Sequence, residues 1–281
     1  IDKSAGWTSQ DVAAKLRGVF HERRVGHGGT LDPMATGVLP VFIGRATRAA
    51  EFLESAEKEY VAGLRLGVMT DTQDTSGTVL ETNPVCVTRA QLEAALRQFL
   101  GPIEQIPPMY SAIKINGQKL YELARKGKEV ARTPRRITIL ELELLGGEDS
   151  DYTIRVRCSK GTYVRTLCHD IGQALGCGGT LFSLRRTQSA GFALGQAVTL
   201  EQVQAAADPA ALLLPVDAYF AGHPALTLTS QRAEKKVRNG NTLSLEAPDG
   251  VYRVYGPTGD FLALSRLTQG VLTTIKSFFE V

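Results

Sequence analysis

The sequence predicts an α/β chain of the α+β kind, built on a mixed sheet and ending in a small β-rich module. Helical and strand periodicities mix without the strict alternation of a doubly wound parallel sheet. From Pro224 onward the pattern changes to short strands and glycine turns, as in DGVYRVYG and TGDFLALSRL. Before that change, a basic stretch interrupts the ordered pattern at about residues 107–136. The expected division is therefore a domain over 1–220, carrying an arm at about 107–136, and a module over 221–281.

Taken in order, residues 9–20 read as a helix with Ser9 as cap and Val12, Ala13, Leu16, Val19 and Phe20 on one face. The loop GHGGTLDPMATG follows, then the apolar strand VLPVFIG, then helical spacing over 46–57. Tyr60 opens a strand in which Leu64, Leu66 and Val68 alternate with smaller or polar residues, and TDTQDTSG at 70–77 is a loop. Thr88 and Gln91 form a capping box for a helix that Gly101 ends. Strands return at 137–145 and 152–158, where Ile154, Val156 and Cys158 alternate with Arg155 and Arg157. After the turn SKGT a helix runs to about Leu175 with Val164, Leu167, Ile171 and Leu175 inward, and Thr199 and Gln202 form a second capping box.

Composition excludes several classes of function. At 281 residues, 43% hydrophobic and 22% charged, the chain has the make-up of a soluble globular protein. Its longest apolar stretches, such as ALLLPV, are too short to span a membrane, and IDKSAGWTSQ lacks the features of a secretory signal, so a cytoplasmic location is expected. The four cysteines form no CxxC pair and the four histidines have no helical zinc spacing, so neither a metal nor a cofactor is expected. Chemistry then falls to carboxylates, tyrosines and basic groups. The net charge of +3 is unevenly spread: Lys114 to Arg136 carries eight Lys or Arg against Glu122 and Glu129, leaving the remainder at −3. Gly117, Gly127 and Pro134 break that run, which favours a phosphate-contacting arm over one solvated helix.

The glycine-rich loop fits neither the dinucleotide fingerprint nor the P-loop. It does place Asp32 before Pro33, which holds the aspartate in extended backbone. Asp-Pro alone is also a common turn. The wider context decides the matter. GHGGTLDPMATGVLPVFIGRATR closely resembles the signature of the bacterial tRNA pseudouridine-55 synthases, the TruB family. The resemblance continues through KEYVAGLRLGVMTDTQDTSG, IPPMYSAIKINGQKLYELARKG and CSKGTYVRTLCHDIG, in order, from Ile1 to about Arg186. Two departures stand out: Ser4 replaces a usual proline, and Gly28 replaces the threonine that commonly follows the loop histidine.

The resemblance implies a pseudouridine synthase catalytic domain with an arm insertion and a PUA-like C-terminal module. It implies an isomerase that converts a uridine in the T-loop of tRNA, position 55, to pseudouridine after flipping the base. Asp32 would be the catalytic carboxylate, either attacking C1′ or assisting a glycal-type intermediate; attack at C6 is the older alternative. Arg165 would pair with it, and Tyr60 would stack on the base and serve in removing the C5 proton. Tyr163 and Leu184 would line the base pocket, and His27 and Arg48 would contact the substrate. Lys114, Lys119, Arg125 and Lys126 would reach phosphates of the T-arm. A monomer is expected. The rival readings are an RNA-guided synthase, a tRNA-binding or folding protein without catalysis, and a glycosidase; the last lacks a second carboxylate in a comparable loop.

Overall fold

A computed structural model describes residues 1–55, 57–111, 113–115 and 117–279. They form two compact units, one of Ile1–Ser9, Thr30–Pro40 and Glu54–Thr199, the other of Gln10–Gly29, Val41–Leu53 and Leu200–Val281. The units do not follow a single cut near 220. Two N-terminal stretches fold with the C-terminal one because side chains join them: Arg48 Nη1 donates to Ser277 O at 3.0 Å, Lys276 pairs with Glu51 at 2.7 Å, and the Phe52 and Phe220 rings meet edge-on.

The first unit is organised by an eight-stranded mixed sheet. Its order is Asp2–Lys3, Thr36–Val38, Gly179–Ser189, Lys58–Leu66, Asp151–Cys158, Arg135–Glu148 and Gly101–Gln105, with Phe192–Ala193 on the side of Gly179–Ser189. Its strand pairs are antiparallel except that Thr36–Val38 runs parallel to Gly179–Ser189. Alternation at 152–158 does what it predicts: Tyr152, Ile154, Val156 and Cys158 are buried. Arg155 and Arg157 stand on the other face, where they pair with Glu143 and with Glu141 and Glu57. Those pairs are half open to water, so each contributes at most about 1 kcal/mol. The helix Val164–Ala174 lays Val164, Leu167 and Ile171 against the buried face. Leu167 and Ile171 are fully buried, a gain of about 1.5–3 kcal/mol each.

Several local expectations change in the fold. Thr88 and Gln91 do make the capping box, on the helix Arg89–Gln98. Ser9 begins the helix Ser9–Phe20, but its hydroxyl serves residue 31 instead of a cap. VLPVFIG is not one strand: it splits at Leu39 and Pro40, with Thr36–Val38 in the large sheet and Val41–Ile43 paired to Val25–His27. The helical spacing over 46–57 becomes a 3-10 segment, Gly44–Ser55. Arg135 and Arg136 belong to the long strand that pairs with Gly101–Gln105, so the arm ends before them. Within the arm, Lys114–Ile115 pairs with Gln118–Lys119 and a short helix, Leu120–Ala124, follows; Ala112 and Asn116 lie outside the described residues.

The second unit holds a five-stranded sheet, Ala225–Thr227, Gly250–Tyr255, Phe261–Thr268, Val271–Ser277 and Leu243–Ser244. Leu228, Val237, Tyr252, Val254, Leu262 and Leu272 form its core, with Val237 supplied by the helix Gln231–Arg238. No helix among the described residues is long and apolar enough to cross a membrane; strands that form a β-barrel are a separate matter.

Candidate active site

The Asp32 loop is held by its backbone on both sides. Leu31 N donates to Ser9 Oγ at 2.9 Å, and Ser9 Oγ donates back to Leu31 O at 3.2 Å. Gly6 N donates to Pro33 O at 2.8 Å, and Ala35 N to Asp32 O at 3.0 Å. Lys3 is almost wholly buried, and its ammonium donates to three carbonyls: Ser4 O at 2.9 Å, Trp7 O at 2.7 Å and Pro33 O at 3.3 Å. All three protons are thus engaged, so the lysine stays in place although burial lowers its pKa to about 8. The carboxylate itself takes no part in this scaffolding.

Arg165 reaches Asp32 from the first turn of the helix Val164–Ala174. Its Nε lies 3.0 Å from Asp32 Oδ2, and its Nη2 donates to Oδ1 at 3.3 Å. The same guanidinium donates to Thr72 O at 3.1 Å and Tyr110 O at 2.8 Å. One planar fork therefore fixes three loops at once, a task for which a point-like ammonium is poorly shaped. Asp74 Oδ2 stands 3.7 Å from Arg165 Nη1, and both side chains are buried, 6% and 5% exposed. Thr72 Oγ1 and the backbone and hydroxyl of Ser76 donate to the other oxygen of Asp74. Asp74 was not among the residues expected from the sequence, where it sits in a polar stretch that reads simply as loop.

These charges set the state of Asp32. Burial pushes its carboxyl up; the Arg165 charge and hydrogen bonds pull it down, Asp74 pushes up again, and Lys3 pulls down, with a net rise. The Asp32 side chain keeps 37% of its surface open, against 5% for Arg165.

Tyr60 and Tyr163 share this neighbourhood, since the Asp32 charge acts on both hydroxyls. Tyr60 is buried on the strand Lys58–Leu66, opposite Val156 on one side and Arg186 on the other. Tyr163 precedes the Arg165 helix, and Gln105 clamps its backbone by accepting from Tyr163 N at 3.0 Å and donating to Tyr163 O at 3.1 Å. Leu184 pairs with Ala62 and lies on the same sheet face as Tyr60. Asp32, Tyr60, Tyr163, Leu184 and Arg165 thus all belong to the first unit.

His27 and Arg48 belong to the second unit, His27 on the strand Val25–His27 and Arg48 in the 3-10 segment, where it donates to Ser277. In the arm, Lys114, Arg125 and Lys126 are exposed. Lys119 donates to the Tyr121 hydroxyl at 3.1 Å, and Arg125 lies over the Tyr121 ring at 5.4 Å.

Gly28 now has a physical reading. Its backbone suits any residue, but a Cβ there would collide with Leu53 Cδ1, which fills the space beside Phe42. Leu53 occupies the place a threonine side chain would need. Gly28→Thr is expected to lower stability by about 1–3 kcal/mol through overpacking, and Leu53→Ala to relieve most of that loss. Urea unfolding of both single variants and the double variant checks this; additive effects would remove Leu53 as the occupant.

The site thus joins a partly exposed carboxylate, a buried guanidinium that aims it, and two tyrosines that feel its charge. Comparison with known proteins gives the class of the chain, the pseudouridylate synthases. The model of the TruB family pseudouridylate synthase N-terminal domain matches residues 17–164, and that of the tRNA pseudouridylate synthase B C-terminal domain matches 165–221. The tRNA pseudouridine synthase B of Stutzerimonas stutzeri (strain A1501) is 45% identical over 276 residues, covering 96% of this chain and 90% of that protein. That of Clostridium kluyveri is 41% identical over 284 residues, covering 99% and 98%. A crystal structure of a Cbf5–Nop10–Gar1 complex contains a chain with a TM-score of 0.73 at 26% identity, covering 99% of this chain and 83% of that one. A structure of an H/ACA RNP bound to a substrate RNA containing 2′-deoxyuridine gives 0.72 at 24%, a likeness of fold. The chain belongs to the TruB family of pseudouridylate synthases.

Proposed function

We propose that this protein converts one uridine in the T-loop of tRNA, position 55, to pseudouridine. The observation that carries the assignment of the site is the Arg165 fork on Asp32. Isomerisation breaks the C1′–N1 bond, turns the uracil and forms a C1′–C5 bond, with no redox change and no group donor. An ionised carboxylate beside C1′ serves either by attacking that carbon or by assisting a glycal-type intermediate. Arg165 keeps Asp32 charged and aimed against the rise that burial imposes. Extruding the base costs about a few kcal/mol. Stacking on Tyr60, with Tyr163 and Leu184 closing the pocket, recovers roughly 1–3 kcal/mol.

His27 and Arg48 contact the displaced nucleotide and its neighbours in this reading, and Lys114, Lys119, Arg125 and Lys126 neutralise phosphates of the T-arm. Residues 221–281 act as the RNA-binding module, and the chain works as a monomer. The test is tritium release from unmodified tRNA labelled at uridine C5, with no guide RNA present. One equivalent per tRNA is expected, and none when uridine 55 is replaced by cytidine. Release that depends on an added guide RNA, or that persists with the cytidine substitution, overturns the assignment.

A further inference from the structure

The core of the first unit contains a second arginine that the chemistry above does not use. Arg186 lies in the middle of the large sheet, on the strand Gly179–Ser189, and is fully buried. Its Nε donates to Val38 O at 2.7 Å. Backbone pairing sets it directly across from Tyr60, so the two side chains share one sheet face. Its guanidinium also hydrogen-bonds the Tyr60 hydroxyl. The register is interrupted immediately after this pair, between Arg186 and Gln188, where the bulge gives Thr187 to Glu59 at 2.7 Å. The parallel strand Thr36–Val38 packs backbone to backbone there: Gly37 has φ +102°, and a Cβ on it would strike the Arg186 carbonyl. Burying a guanidinium inside a sheet carries a heavy desolvation cost, and an apolar residue would hold the strands equally well.

We infer that Arg186 is a positioning residue for the reaction, holding the Tyr60 hydroxyl and favouring its phenolate as the proton acceptor at uracil C5. The inference rests on the reading that Tyr60 takes that proton. Once the C1′–C5 bond has formed, C5 carries both the sugar and its original hydrogen. A Tyr60 phenolate, formed by prior loss of its own proton to water, takes that hydrogen as a proton. The C5–H electron pair returns to the ring as the C5–C6 double bond, and N1 gains a proton, so the uracil keeps its composition. The phenol then returns its proton to water, which is the label that tritium release counts.

The groups around Tyr60 fit this assignment. Burial pushes its phenol up, and the Arg186 charge and hydrogen bond are what pull it back. Cys158, on the neighbouring strand, has its thiol pushed up to about 11 by burial and is neutral at pH 7. Asp32 pushes the phenol up from the catalytic side. Arg186 is thus the cation that opposes both the burial and the carboxylate, and the phenol, still held above its ordinary value, would stand higher without it.

The experiment is a pH–rate profile of C5-tritium release for the parent, Arg186→Met, Tyr60→Phe and the double variant. Arg186→Met is expected to lower kcat at least about tenfold at pH 7, the change one pKa unit produces. Its KM for tRNA should stay within about twofold, and the rise of kcat should move to more alkaline pH. In the Tyr60→Phe background the same substitution should change the rate less than about twofold. An unshifted profile, or an equal loss in both backgrounds, overturns the inference and leaves Arg186 as scaffold. A Tyr60→Phe variant with the parental rate instead overturns the reading of Tyr60 on which it rests. Should Arg186→Met fail to fold, Arg186→Gln keeps a donor without the charge and must give the same alkaline shift; an unshifted profile there also overturns it.

Discussion

Replacing Asp32 by asparagine is expected to leave a folded protein that binds tRNA as before and forms no detectable pseudouridine. The loop is held through backbone groups of Leu31, Asp32, Pro33 and Ala35, none of which depends on the carboxylate. An amide of the same shape therefore leaves the scaffold intact while removing the carboxylate's charge. Loss of such a group costs on the order of 10³-fold or more in rate. Stability is expected to move the other way. Because the folded carboxyl is raised above its ordinary value, the folded state holds that proton more tightly than the unfolded chain. Stability contributed by Asp32 therefore falls as pH rises through the carboxylate range and stays lower above the raised pKa. Asparagine abolishes that decline, and Arg165 keeps Asp74 as its partner. Urea unfolding at pH 5 and pH 7 should show a flatter pH dependence for the variant and no loss at pH 7. Activity within tenfold of the parent would remove Asp32 from the chemistry.

Arg165→Met is expected to be nearly as damaging, with a different signature. Removing the guanidinium deletes the main influence that opposes the rise of the Asp32 carboxyl. A smaller fraction of Asp32 is then ionised at a given pH, so the acidic limb of the pH–rate profile moves to higher pH. Activity at pH 7 should drop at least about 100-fold and recover in part under alkaline conditions. The variant also leaves the Asp74 carboxylate buried beside an apolar chain, at a cost of about 3–5 kcal/mol. Thr72 O and Tyr110 O lose their donor at the same time. Thermal unfolding and the pH profile measured together separate the two effects, because destabilisation alone leaves the limb where it was. A limb that stays in place would mean that Arg165 does not govern the charge of Asp32.

Much of this was legible in the sequence wherever the signal is local. The capping box at Thr88 and Gln91, the alternation at 152–158 and the helix after SKGT all depend on near neighbours. The Asp-Pro loop, Arg165 and Tyr60 were found through ordered motifs. The strand Gly179–Ser189 was not read from the sequence, although it lies at the centre of the sheet. Its charged pair Arg185 and Arg186 breaks the apolar pattern by which a buried strand is recognised, and the burial of Arg186 follows from partners more than 100 residues away. Asp74 and Lys3 escaped for the same reason. Their chemistry resides in Arg165 and in the carbonyls of Ser4, Trp7 and Pro33, none of which local spacing reveals.

The short strand Thr36–Val38 lies between Asp2–Lys3 and Arg185–Arg186, antiparallel to one and parallel to the other. That arrangement has a kinetic consequence. A parallel pairing between residues about 150 positions apart closes a very long loop, and such closures come late because their entropy is spent before any contact forms. Asp32 meets Arg165 across 133 residues of sequence, and both belong to segments that this closure brings together. The Asp32–Arg165 pair therefore exists only in a chain that has made this long-range docking.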